Sequence, residues 1–173
     1  MTTDLSRLPA ASPFPALRWP RTDGGVLSPA AMDGWRLLVI YRGAHCPLCR
    51  SYLNTLEKLQ ADFAEAGVTV AALSSDPRDR AMKEAGEEGW TFSLGYDLSE
   101  AQMRQLGLYV SSPRSPEETD RNFAEPGLFV INPQGAIQIV DVSNAPFARP
   151  DLKGLLDGLK FVIAKGYPVR GTA

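Results

Sequence analysis

The stretch Arg36-Leu37-Leu38-Val39-Ile40-Tyr41-Arg42-Gly43-Ala44-His45-Cys46-Pro47-Leu48-Cys49 contains both cysteines of the chain and decides how the rest is read. Its first six residues are apolar for the most part and partly β-branched, the signature of a short buried strand. From Leu48 onward, Leu48, Tyr52, Leu56, Leu59 and Phe63 recur at three- and four-residue spacing, which marks one face of a helix. A strand therefore turns into a helix at Cys46-Pro47-Leu48-Cys49. Two sulfurs three residues apart at a helix start can reach each other to close a small disulfide ring. Free N–H groups and the positive end of the helix dipole favour a thiolate there. This is redox geometry.

At 173 residues the chain suffices for one well-packed domain and is too short for two ordinary ones. The expected organisation is an extended arm over residues 1–15, with Pro9, Pro13 and Pro15, followed by a single domain over 16–173. An apolar fraction of 44% and a charged fraction of 22% argue against wholesale disorder. The net charge is −2 with acids and bases interspersed, so nothing electrostatic points to nucleic acid or to an anionic membrane. No apolar run approaches the roughly 20 residues that span a bilayer. The N-terminus lacks a basic n-region and an apolar h-region, so a cytoplasmic location is expected. In a reducing cytosol a CxxC pair is more often catalytic or metal-binding than a structural staple.

Along the chain, Ala16–Trp19 and Val26-Leu27 flank Thr22-Asp23-Gly24-Gly25, which predicts a small hairpin. The helix after the cysteines should run to about Ala66, with Gly67 as its stop. Val68–Leu73 reads as a second buried strand. Asp76-Pro77 then reads as an N-cap and N1 proline, opening a helix to about Gly89. Thr91–Leu94 is a short strand candidate, and Ser99–Gln102 a capping box for a short helix closed by Gly107. Residues 111–126 show no clear period. Leu128–Ile131 and Ile137–Val140 bracket Asn132-Pro133-Gln134-Gly135 as a hairpin, and an amphipathic helix follows over about 151–165. Strands alternating with helices, closed by a hairpin and a final helix, predict an α/β fold: a mixed central sheet with helices on both faces.

CxxC spacing also serves zinc, which takes four protein ligands in structural sites and three in catalytic ones. Two cysteines and the single histidine, His45, are a poor set, and no metal is assigned. A buried, inert pair is the other bland reading.

The order strand, CPxC, helix, βαβ crossover, then Pro126 ahead of a hairpin and terminal helix resembles the thioredoxin superfamily. The N-terminal hairpin, Tyr41-Arg42-Gly43 before the motif, and Gly127–Gly135 are similar to its peroxiredoxin-like branch, the alkyl hydroperoxide reductase/thiol-specific antioxidant group. The resemblance covers roughly residues 16–165. It implies a thioredoxin-like fold with an N-terminal β-hairpin extension and an oxidoreductase that reduces disulfides or hydroperoxides. No organic cofactor is implied. An external thiol reductant recharges the pair, and the resemblance leaves room for a homodimer.

Two patterns within the resemblance assign roles differently. The thioredoxin pattern makes Cys46 the exposed nucleophile and Cys49 the resolving thiol. The peroxiredoxin pattern Pro-x-x-x-Thr-x-x-Cys places Arg42 at the proline, Cys46 at the threonine and Cys49 at the peroxidatic position. Its peroxide-binding arginine falls at Glu125-Pro126, with Arg121 close in sequence. The buried aspartate of thioredoxins falls at Ile40, and Glu57 is the substitute considered. Supporting roles follow from the same resemblance: Pro126 as a cis-proline facing the pair, and Arg42, Arg50 and Arg121 as thiolate or peroxide partners. His45, if protonated, would add positive charge beside Cys46; otherwise it is a loop residue without a role. Trp35 and Tyr41 read as packing. The rival function is a non-catalytic binding module on the same fold, suggested by the replaced proline, threonine, arginine and aspartate.

Overall fold

The structure is a computed structural model that describes residues 7–173. The part of the expected N-terminal arm before Arg7 lies outside the described residues.

Five strands form the central sheet: β3 (Trp35–Ile40), β4 (Val68–Leu73), β5 (Ser93–Gly95), β8 (Gly127–Ile131) and β9 (Ile137–Val142), in the order β5-β4-β3-β8-β9. Strands β3, β4 and β5 run parallel, whereas β8 is antiparallel to both β3 and β9. Parallel neighbours need a crossover. One is α1 (Pro47–Glu65), between β3 and β4, and the other is α2 (Arg78–Glu88), between β4 and β5.

Alternation along β3 divides the core in two. Leu37, Val39 and Tyr41 point to the face covered by α1, by Ala81 of α2 and by α4 (Leu152–Lys165), in contact with Leu53, Leu56, Phe63, Leu156 and Leu159. Leu38 and Ile40 point to the other face, with Trp19, Leu27, Met103, Leu106 and Phe129. That second face is covered by α3 (Glu100–Gln105) and by the small hairpin of β1 (Trp19–Pro20) and β2 (Val26–Leu27). The mixed sheet with helices on both faces is as expected. Next to the hairpin, residues 11–14 run along the β8–β9 turn: Ala11 N–H donates to the Ile137 carbonyl and Phe14 N–H to that of Gly135. Phe14 is buried against Phe129.

Three local expectations need correction. Asp76 does not cap α2: the N-cap position is Pro77, with no side-chain cap, and the Asp76 carboxylate is turned to the loop before the cysteines. The segment without a period contributes a strand pair, β6 (Val110–Ser111) with β7 (Phe123–Ala124). Between them the loop is tied down by Arg80 to Asp120 and by Asn122 to Glu100. Finally, among the described residues no peptide bond is cis, so the bond before Pro126 is trans. The Pro126 carbonyl accepts from the Ser143 N–H, continuing the β8–β9 ladder.

Among the described residues no helix is long and apolar enough to cross a membrane.

Candidate active site

Strand β3 ends at Ile40, and six residues later Cys46 occupies the N-cap position of α1, with Pro47 as the first helical residue. An N-cap side chain accepts from the open N–H groups of the first turn. Here the acceptor is sulfur: Cys46 Sγ takes the Cys49 N–H at 3.3 Å. Both cysteines are free thiols; Cys46 is 4% exposed and Cys49 not at all.

Their environments push the two sulfurs apart. The Cys46 thiol is lowered to about 6, first by a hydrogen bond from the Cys49 thiol, then by the Cys49 N–H and by the charges of Arg42 and Arg149, with burial opposing. The Cys49 thiol is pushed well up, first because its hydrogen is engaged by Cys46 and then by burial. One proton is thus shared unequally, with the negative charge on Cys46. The peroxidatic position of the family pattern holds the deeper, more firmly protonated sulfur.

The turn between β3 and α1 is clamped from two sides. Gly43 has φ +134°, a conformation that side chains resist, and a Cβ there would sit 2.7 Å from Asp76 Oδ1. Asp76 Oδ2 accepts the Ala44 N–H at 2.7 Å, while Arg50 donates to the Ala44 carbonyl at 2.7 Å. Because β3 and β4 are parallel neighbours, the loops that follow them emerge side by side, which is how Asp76 reaches this turn.

Arg42 is brought to the pair, but not as a free cation. Its Nε and Nη2 each donate at 2.8 Å to the carboxylate of Glu125, which also accepts from Ser111 Oγ. The guanidinium carbon lies 5.4 Å from the Phe123 ring centroid, and His45 meets the same ring edge-on at 4.7 Å. Burial lowers the His45 pKa, with the charges of Asp76 and Glu118 opposing. His45 is therefore a neutral packing partner rather than a positive charge beside Cys46. Arg121 is not at the pair: it is engaged by Asp120 and donates to the Ser75 carbonyl. Glu57 is also elsewhere, accepting from the N–H and hydroxyl of Thr91. Pro126 follows Glu125 directly and so lies on the flank where Arg42 is held.

Sequence reasoning missed three groups. Arg149, in the loop before α4, lies with its guanidinium carbon 4.3 Å from the Tyr52 ring centroid, and its charge favours both thiolates. Its Nε donates to the Pro146 carbonyl, whereas Nη1 is buried without a partner. It lines a cleft of about 370 Å³ with Leu48, Tyr52 and Phe147. The second missed group is Asp76. The third is Glu84 of α2, 4% exposed, with neither carboxyl oxygen hydrogen-bonded. A sequence signal existed for Glu84: it falls on the Ala81–Ala85 stripe, the buried face of α2.

The sequence profile of the AhpC/TSA family matches residues 10–140. Two curated proteins from Mycobacterium tuberculosis strains, provisionally named peroxiredoxins, are 29% identical over 108 residues, 62% of this chain and 69% of each relative. Among solved structures, peroxiredoxin 6 of Arenicola marina has a TM-score of 0.75 at 18% identity, covering 92% of this chain and 76% of that one. Peroxidoxin BcpB of Mycobacterium tuberculosis has 0.75 at 19%, covering 90% and 99%. AhpC of Enterococcus faecalis has 0.74 at 16%, covering 95% and 99%. These structures share the thioredoxin-like fold seen here. The chain belongs to the AhpC/TSA family, the peroxiredoxin-like branch of the thioredoxin superfamily, and is a thiol-dependent oxidoreductase.

Proposed function

We propose that the protein is a two-cysteine thiol peroxidase in which Cys46 attacks and Cys49 resolves. The observation that carries this reading is the unequal sharing of one proton: Cys46 accepts from the Cys49 N–H and thiol, while Cys49 is fully buried and held protonated. A thiolate is the nucleophilic form of cysteine. In the first step the Cys46 thiolate attacks a hydroperoxide. An S–O bond forms, the O–O bond breaks, and the alkoxide or hydroxide leaving group takes a proton from water. Cys46 is then a sulfenic acid. Cys49 attacks its sulfur, loses its thiol proton and displaces the hydroxyl as water, leaving a Cys46–Cys49 disulfide. An external dithiol or low-molecular-weight thiol reduces that disulfide and restores the starting state.

The same sulfur roles serve a disulfide substrate, with a thiolate displaced in place of the alkoxide. Glu125 favours keeping this second reading, because a carboxylate stands where the family pattern puts its peroxide-binding arginine. Arg149 is the cation left to face the leaving oxygen, since Arg42 is engaged by Glu125. A cytoplasmic location suits a reduced resting pair, and homodimerisation accords with the family resemblance.

Stopped-flow mixing with hydrogen peroxide tests the assignment. Cys49→Ser should still form sulfenate at a rate within a few-fold of the parent, and Cys46→Ser should form none. Sulfenate on Cys49 in the Cys46→Ser variant would reverse the roles. Slow reaction of the parent with peroxide but rapid reaction with disulfides would establish the reductase reading.

A further inference from the structure

A cleft of about 370 Å³ opens on the flank of the redox pair, between the first turns of α1 and the loop before α4. Leu48, which lies between the two cysteines in the chain, lines it from the helix together with Tyr52, one turn beyond Cys49. Pro146, Phe147 and Arg149 line it from the loop. The apolar side chains are not packed away: Leu48 is 51% exposed and Phe147 80%. Single exposed apolar residues mean little, but two on one cleft beside a polar anchor have the make-up of a ligand site.

The anchor is a cation held in place without an anion. The Arg149 guanidinium carbon lies 4.3 Å from the Tyr52 ring centroid, and Nε donates to the Pro146 carbonyl at 2.8 Å. Tyr52 is itself fixed, its hydroxyl donating to the Pro150 carbonyl at 2.7 Å. Arg149 Nη1 has no partner, and among the described residues no carboxylate forms an ion pair with this side chain. Asp151 also lines the cleft, but its carboxylate is occupied as the N-cap of α4, accepting the Gly154 N–H at 2.7 Å. A guanidinium held in one orientation with open donors matches the planar fork of a carboxylate.

We propose that this cleft seats the thiol that recharges the pair, and that this thiol is a small molecule carrying a carboxylate. The carboxylate lies on Arg149 and the carbon skeleton against Leu48 and Phe147. The inference rests on the reading in which oxidation ends in a Cys46–Cys49 disulfide. Access selects the sulfur that is attacked, because Cys46 keeps some exposure and Cys49 none. The reductant's thiolate attacks Cys46, a mixed disulfide forms, and Cys49 leaves with the electron pair and takes up a proton. A second thiolate attacks the reductant's own sulfur, which releases the reductant as its disulfide and returns the Cys46 thiolate. Two thiols are oxidised and one protein disulfide is reduced. In this half of the cycle Arg149 is free for the carboxylate, since the leaving oxygen it faced has gone.

Matched thiols test the subsite. Oxidised protein, its disulfide located by mass mapping, is mixed with 3-mercaptopropionate or 6-mercaptohexanoate, and with the mercaptoalkanol of the same chain length. At equal thiolate concentration the acid should reduce the disulfide about ten-fold faster than the alcohol at one chain length or both. Arg149→Gln should bring that ratio to about one, and Arg149→Lys should keep part of it. Lys153→Gln, which removes a charge outside the cleft, should leave the ratio as in the parent. Phe147→Ser should slow the six-carbon acid more than the three-carbon one. Equal rates for acid and alcohol in the parent, or a preference that survives Arg149→Gln, overturn the subsite while the disulfide cycle stands. Oxidised protein without a Cys46–Cys49 disulfide overturns that cycle and the subsite with it.

Discussion

Arg42 and Glu125 are joined by two parallel hydrogen bonds of 2.8 Å, with the Glu125 carboxylate 3% exposed and the Arg42 side chain 22%. The resemblance puts Arg42 at the family's proline and Glu125-Pro126 at its arginine, and in this chain Arg42 and Glu125 form one forked ion pair. Breaking such a pair leaves one charge buried without its counterion, whereas replacing both partners does not. Arg42→Met should therefore cost about 3 kcal/mol or more in urea unfolding. The double variant Arg42→Met/Glu125→Leu should recover most of that loss. Equal costs for the single and double variants would mean that the pair does not couple.

The ionisation of the two thiols gives a second prediction. Alkylation by iodoacetamide should follow an inflection near pH 6, the value at which Cys46 loses its proton. Mass mapping should find the label on Cys46 and not on Cys49. Cys49→Ala removes the hydrogen bond that contributes most to this lowering. The inflection should then move up by roughly one to two pH units, the scale of a hydrogen bond to a charged group. A profile that Cys49→Ala leaves in place would assign the lowering to the arginines instead.

A third prediction concerns the turn before the cysteines. Gly43→Ala would put a methyl group 2.7 Å from Asp76 Oδ1 at φ +134°. A shift of the turn is the only relief, because the obstacle is a carboxylate already bound to the Ala44 N–H. We expect a loss of about 1–3 kcal/mol in thermal or urea unfolding and a raised Cys46 inflection. Asp76→Asn keeps an acceptor for Ala44 and should be milder than Asp76→Ala, which leaves a half-buried N–H without one. Similar stabilities for these two Asp76 variants would show that the clamp contributes little.

Much of this architecture is legible in the chain because it follows local periods. The alternation of Leu37, Val39 and Tyr41 against Leu38 and Ile40, and the three-and-four spacing from Leu48 to Phe63, identify the strand, the helix and the turn between them. What stays hidden is set by tertiary neighbours. Asp76-Pro77 satisfies the local rule for a helix cap, yet the adjacent loops of two parallel strands give its carboxylate a better donor in Ala44. Arg149 comes to the cysteines from about a hundred residues away, through the packing of its loop on Tyr52, and no spacing rule reaches that far. Arg121, by contrast, is near in sequence to the arginine position and is captured by its own neighbour, Asp120.

Glu84 ties stability to pH, and the sign follows from its two ionisation states. Its carboxyl titrates near 7 in the folded protein against an ordinary 4.5 in the unfolded chain. Below about 4.5 both states hold the proton and the folded protein carries no buried charge at this site. Between 4.5 and 7 the unfolded chain loses the proton first, so the folded state binds more protons and stability falls as pH rises. Above 7 that contribution is gone and the folded protein holds an unpartnered carboxylate. Glu84→Gln does not titrate. The difference in unfolding free energy, variant minus parent, should therefore grow between pH 4 and pH 8, by on the order of 1–2 kcal/mol after allowing for solvent screening. Raised carboxyl pKa values elsewhere, such as that of Asp76, cancel in the comparison to the extent that they are unaffected by the substitution. Urea midpoints measured for both proteins at the two pH values provide the test, and a difference that is flat or shrinks with pH would place the ordinary carboxylate range, not neutrality, at Glu84.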